Sequence, residues 1–170
     1  MPLKPSFTLV FMGVSGSGKT TVGQLVAART DSMFLDADDF HSAENRAKMT
    51  AGEPLNDADR APWLAALRDE ITRLNDAGQT VILACSALKE SYREQLRAAG
   101  SQVVFVHLHG TREQLLARVR QRSEHFFPPS LLDSQLADLE PPSDALTLDI
   151  SATPNDLATQ ILVPFFNRLP

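Results

Sequence analysis

Eight consecutive residues, Gly13-Val14-Ser15-Gly16-Ser17-Gly18-Lys19-Thr20, follow the spacing G-x-x-x-x-G-K-[ST]. The chemistry this spacing serves is the holding of nucleotide phosphates. Phosphates are anions that need several N–H donors converging on them, and glycines let the backbone turn and approach closely where a Cβ would obstruct. A helix starting near Gly18 would aim its free N–H groups and positive dipole end at the same place. Gly13, Ser15, Gly16, Ser17 and Gly18 are therefore expected to line the cradle, with Lys19 at the β- and γ-phosphates and the Thr20 hydroxyl at Mg²⁺. Thr21 is placed to reach the α-phosphate. Chance alone produces such a pattern in under about 1% of chains this long.

A second cluster follows, Asp36-Ala37-Asp38-Asp39 after the apolar Met33-Phe34-Leu35. Two carboxylates spaced by one residue at the end of a strand would point to the same side. In an open α/β sheet that edge is where ligands bind. Asp36 is expected to orient Mg²⁺ with Thr20, and Asp38 to align or deprotonate an attacking hydroxyl. His41, just beyond, is a candidate for the shell around the substrate. No guanine-reading N-K-x-D is present, and neither Leu83-Ala84-Cys85-Ser86 nor Leu108-His109-Gly110 offers the carboxylate of a motor or transport ATPase. Small-molecule kinases are the remaining class of phosphate-loop protein.

Cations cluster too. Arg118, Arg120 and Arg122 close one predicted helix, next to a break at Glu124–Pro129. Such arginines suit a lid over ATP, with Arg118 at the nucleotide and Arg122 at the transferring phosphoryl. Lys89, Arg93 and Arg97 form an i, i+4, i+8 row after Ser86, and the first two are candidates for an anionic substrate. His107 and His109 share a strand face, and Cys85 reads as a small buried residue. Trp63 reads as a packing anchor.

The elements that must carry these groups alternate. Strands are predicted at about 7–12, 33–35, 80–84, 103–108 and 146–150, and helices at about 18–29, 42–51, 57–75, 88–98, 111–122, 130–139 and 155–166. Pro62 fits its helix if the helix starts near Asp59, and Ser130 is a candidate N-cap. Strands with little polar alternation, each followed by a helix, imply an α/β fold: a five-stranded parallel sheet covered on both faces, three layers in all.

The chain has 170 residues, 43% hydrophobic and 22% charged, which fits one globular domain over 1–170. Its net charge of −5 argues against an extended polyanion such as nucleic acid, or an anionic membrane, as partner. A single cysteine excludes an intrachain disulfide and, with no His pair at ligand spacing, makes zinc unexpected. No apolar run is long enough for a membrane helix, and the N-terminus does not read as a signal peptide. A cytoplasmic setting is expected.

Several longer segments resemble the gluconokinase family: Gly13–Thr21, Phe34–His41, Gly52-Glu53-Pro54-Leu55-Asn56-Asp57-Ala58-Asp59-Arg60 with Pro62-Trp63-Leu64, Cys85-Ser86-Ala87-Leu88-Lys89 with Tyr92-Arg93, His125-Phe126-Phe127, Leu131–Gln135 and Leu139-Glu140-Pro141. The similarity runs from about Phe11 to Pro142. Shikimate kinases are similar but carry a glycine triplet where this chain has Cys85-Ser86-Ala87. The resemblance implies a P-loop kinase fold with a lid near 120–135, often a homodimer, transferring phosphate from ATP to the terminal hydroxyl of D-gluconate. It implies Asp38 at that hydroxyl, and Arg60, Ser86, Lys89, Arg93 and Gln135 around the sugar acid. One departure is Ser123-Glu124 before the lid His-Phe-Phe, where the family often has Lys-Gly; the lid then leans on Arg120 and Arg122. The alternatives are another small-molecule kinase of the shikimate type and a regulator that binds ATP without turnover.

Overall fold

Alternation of apolar side chains decides the architecture of the computed structural model, which describes residues 6–100, 102–122 and 128–166. In β1 (Phe7–Met12) every residue is buried. Leu9 and Phe11 enter one core, and Val10 and Met12 enter another. A strand apolar on both faces must be central and covered twice. It is: the sheet is parallel, with β2 (Met33–Asp36) at one edge, then β3 (Val81–Ala84), β1, β4 (Gln102–His109), and β5 (Leu146–Asp149) at the other edge. Leu9 lies opposite Ile82 on one side and Val104 on the other. The five-stranded α/β expectation is met.

On one face lie α1 (Lys19–Thr30), α5 (Arg112–Arg122) and α7 (Pro154–Phe166), which contribute Val22, Val26, Leu115, Leu157 and Ile161 to the core. The other face is covered by α3 (Asp57–Asp76) and α4 (Glu90–Arg97), through Trp63, Leu64, Leu67, Ile71, Tyr92 and Leu96. Each such large apolar side chain, fully removed from water, contributes about 1.5–3 kcal/mol. Two further helices are α2 (Ala43–Thr50) and α6 (Pro129–Asp138), the latter adding Leu132 to the first of these cores.

Local chemistry moves several boundaries. α3 begins at Asp57, as the expected range has it, but not near Asp59, the start that would bring Pro62 into the first turn, because Asn56 and Asp59 form a reciprocal capping box. Pro62 therefore falls in the second turn. The carbonyl it cannot serve belongs to exposed Ala58, where water can take the place of the missing N–H. α6 begins at Pro129 behind Pro128, without a Ser130 cap, since proline's fixed φ suits the first helical position. α4 starts at Glu90 because Ala87 turns left-handed at φ 45° and Lys89 is still extended.

Between β2 and α2 a 3₁₀ turn (Ala37–Phe40) appears that hydrophobic periodicity does not signal. Of the expected lid near 120–135, residues 123–127 lie outside the described residues, and with them Ser123, Glu124, His125, Phe126 and Phe127.

Candidate active site

The phosphate loop sits at the C-terminal end of β1, between that strand and α1. Its glycines are required by space as well as by torsion. A Cβ on Gly13 would lie 2.6 Å from the Leu108 carbonyl oxygen, and one on Gly16, at φ 83°, would lie 2.7 Å from that of Leu115. Gly18, also left-handed, is the N-cap of α1, so the helix's free N–H groups open onto the loop. Lys19 Nζ curls over the loop and donates to the carbonyls of Gly13 (3.0 Å) and Val14 (3.1 Å). Burial pulls its pKa down, while the charges of Asp38 and Asp36 oppose that shift. Ser17 is fully buried and its hydroxyl has no partner among the described residues.

The two carboxylates meet the loop by a route other than strand alternation. Asp36 ends β2, but Asp38 belongs to the 3₁₀ turn, so period 2 does not place them together. Asp36 does so itself: its Oδ1 accepts from the Asp38 amide at 3.0 Å, capping the turn. Its Oδ2 accepts from Thr20 Oγ1 at 3.3 Å. Thr20 and Asp36 thus form a pair of hard oxygen donors, the type Mg²⁺ prefers. Asp38 is open to the cleft, yet the surrounding walls remove enough water to raise its pKa. The charge of Asp36 adds to the rise, and that of Lys19 opposes it.

Trp63 holds the turn in place, its Nε1 donating to the Ala37 carbonyl at 2.7 Å. His41 stacks on the indole, with ring centroids 4.3 Å apart at 15°.

The arginines of α5 approach from the opposite side. Arg122 donates to Thr21 Oγ1 at 3.2 Å. Arg118 bonds the Ile150 carbonyl, and its Nη1 lies 3.6 Å from the Cβ position of Gly18. The loop after β5 is thereby tied to the phosphate loop, a link that no sequence spacing announces. Arg120 is exposed.

Where α3 meets α4, Arg60 Nη1 donates to Tyr92 Oη at 2.7 Å, and that hydroxyl donates to Asp57. The Arg60 guanidinium lies 5.3 Å from the Tyr92 ring centre and Lys89 Nζ 5.7 Å from it, so both cations converge on one aromatic platform. Ser86 is exposed and its carbonyl accepts from the Gly13 amide at 3.2 Å, which puts it against the phosphate loop.

One expected substrate contact, Arg93, is corrected, and Gln135 is placed against the phosphate loop. Arg93 is only 1% exposed, and its donors are spent on Glu90, on the carbonyls of Ala87 and Leu88, and on that of Glu140. It is a scaffold for the turn that carries Ser86 and Lys89, because a guanidinium is the one side chain able to serve three carbonyls and a carboxylate at once. Gln135 faces the phosphate loop, its Oε1 accepting from the Ser15 amide at 2.7 Å, since Leu132 on the same helix is buried in the core and turns that face inward. Arg97, the third member of the row, pairs with Glu90 and Asp144.

His107 is buried at the end of β4 and burial lowers its pKa to about 4, with His109 and then Arg93 adding to the effect. Cys85 is fully enclosed and its thiol is pushed up to about 12, chiefly by burial. It is expected to ignore a thiol-reactive disulfide reagent at pH 8 in the native protein and to react completely in denaturant. Rapid native labelling would contradict the burial.

Comparison with known proteins agrees with this geometry. Residues 9–142 match a family model described as an AAA domain. The gluconokinase of Gluconobacter oxydans is 51% identical over 144 residues, covering 85% of this chain and 80% of that protein. The chain belongs to the gluconokinase family. The thermosensitive gluconokinase of Escherichia coli is 44% identical over 148 residues, with 85% and 79% of the two chains covered. The crystal structure of a gluconokinase from Sinorhizobium meliloti superposes with a TM-score of 0.86 at 37% identity, covering 97% of this chain and 94% of that one. The gluconokinase fold, with its kinase-type phosphate loop, is therefore shared along almost the whole chain.

Proposed function

We propose that the protein transfers the γ-phosphoryl group of ATP to the terminal hydroxyl of D-gluconate, giving 6-phosphogluconate and ADP. The observation that carries this reading is the joining of the phosphate loop to the acidic turn, where the Asp36 carboxylate accepts from Thr20, the residue after Lys19, at 3.3 Å and from the Asp38 amide at 3.0 Å. A phosphate cradle and an acceptor carboxylate are what phosphoryl transfer to an alcohol requires. In the reaction the substrate oxygen bonds to the γ-phosphorus, the bond from that phosphorus to ADP breaks, and the hydroxyl proton passes to Asp38. Lys19, the loop amides and Arg122 stabilise the charge on the transferring group, and Arg118 holds the nucleotide side. Arg60 and Lys89 supply the positive charge that a sugar-acid carboxylate needs.

Mg²⁺ would be held by Thr20 and Asp36 together with the ATP phosphates, where it would neutralise phosphate charge. Support for it is the 3.3 Å contact between the two side chains. A single domain over 1–170 with a lid near 120–135 belongs to the same proposal. A cytoplasmic setting draws support from the lone buried cysteine. A homodimer rests on the family resemblance alone. Among the described residues no helix is long and apolar enough to cross a membrane.

Purified protein given ATP and Mg²⁺ is expected to release ADP with D-gluconate and far less with other sugar acids or shikimate. Release with shikimate or another acid but not with gluconate would overturn the substrate and leave the fold intact.

A further inference from the structure

We propose that His41 reads the substrate hydroxyl adjacent to the one that is phosphorylated, and so sets the preference for a polyhydroxy acid. The inference rests on the reading of Asp38 as the group at the acceptor hydroxyl. Three features of the structure carry it.

The first is position. In a 3₁₀ turn, side chains three residues apart lie on the same side. His41 closes the turn that contains Asp38, its amide directed to the Asp38 carbonyl at 3.4 Å. With the acceptor hydroxyl at Asp38, a group beside it on the same side of the turn would face the neighbouring carbon.

The second is rigidity. The ring is 9% exposed and lies flat on Trp63, and Trp63 is itself pinned to the turn through Ala37. Arg46 fixes the backbone on both flanks, donating to the carbonyls of His41 (3.2 Å) and Asp39 (3.0 Å). The imidazole and the carboxylate are thus one preorganised unit rather than two mobile side chains.

The third is protonation state. Nδ1 is buried with no hydrogen-bond partner among the described residues. A proton there would strand an N–H in a dry place, so the ring stays neutral and its one proton sits on Nε2. Burial disfavours the cation as well, and Arg60 and Arg46 add to that effect. A neutral donor does not compete with Arg60 and Lys89 for the carboxylate. It suits a hydroxyl, next to the acceptor carboxylate of Asp38.

The test compares D-gluconate with 5-deoxy-D-gluconate, which keeps the terminal hydroxyl and lacks its neighbour. The wild type is expected to lose about 10²-fold or more in kcat/KM on the deoxy acid. His41→Phe keeps a ring on Trp63 but offers no nitrogen. It is expected to lose a similar factor on gluconate and to handle the two acids within about threefold of each other. KM for ATP should not change. His41→Gln restores an N–H donor and should recover part of the discrimination, which a purely structural role for His41 would not produce. The proposal is overturned if the wild type does not discriminate, or if the Phe and Gln variants lower both substrates equally. A wild type inactive on gluconate altogether would instead overturn the proposed reaction.

Discussion

Replacing Asp38 with Asn is expected to lower kcat by about 10²–10⁴-fold while leaving ATP affinity near normal, the usual range for removal of a positioned acid–base group. Asparagine keeps the size of the side chain and can hold the 3₁₀ turn, because the bonds that build the turn come from Asp36 and Trp63 and not from the Asp38 carboxylate. What it loses is the ability to take the hydroxyl proton. The pH dependence carries the same signature. The pKa of Asp38 is raised, first by burial and then by the charge of Asp36. Only the ionised form accepts a proton, so kcat/KM falls as pH drops through that raised pKa. The acid limb of the wild type should accordingly lie above the ordinary carboxylate range and be absent from the variant's residual activity. Turnover within about threefold of wild type would remove Asp38 from the chemistry.

Arg93→Ala is expected to destabilise the fold by about 3–5 kcal/mol, read from the urea midpoint at constant slope. The buried guanidinium donates to the carbonyls of Ala87, Leu88 and Glu140; the variant strips this donor from all three, and among the described residues only Leu88 keeps another, the Glu140 amide at 2.9 Å. It also joins α4 to the segment after α6, where Glu140 Oε2 in turn accepts from the Glu90 amide at 2.7 Å. Removing it releases the left-handed turn at Ala87 that positions Ser86 and Lys89. Arg93→Lys retains the charge but brings three donors on one nitrogen, which cannot reach carbonyls on different sides; it should recover less than half of the loss. A variant of unchanged stability with a raised KM for gluconate would mean that Arg93 is a substrate ligand after all.

The fold was largely legible because its signals are local and redundant. Five apolar runs, each followed by a 3.6-period segment, admit few arrangements besides a covered parallel sheet, and the observed strands fall within a residue or two of the expected ones. The phosphate loop was legible for a different reason. Its glycines answer to backbone geometry within a few residues, so the requirement is written at fixed spacing. What differed were details that act through one atom: Pro62 lies in the second turn of α3 and not in its first, and Pro128, not Ser130, precedes α6.

Around the substrate side, spacing was a weaker guide. Lys89, Arg93 and Arg97 are equivalent on a helical wheel, yet they end up beside the Tyr92 platform, fully buried, and paired with Glu90 and Asp144 respectively. An i, i+4 row states which side chains are neighbours but not which of them faces a cleft. The phosphate loop, the acidic residues after β2 and the layered sheet could be read from the residues alone, because each depends on interactions within a few residues or on periodic burial. That Arg93 is a strut, that Gln135 braces Ser15, that Arg118 ties the β5 loop to the phosphate loop, and that His41 lies locked on Trp63 emerged with the assembled fold. Those outcomes depend on carbonyls and rings brought together from distant parts of the chain, and a side chain's donors go to whichever acceptors the fold places within reach.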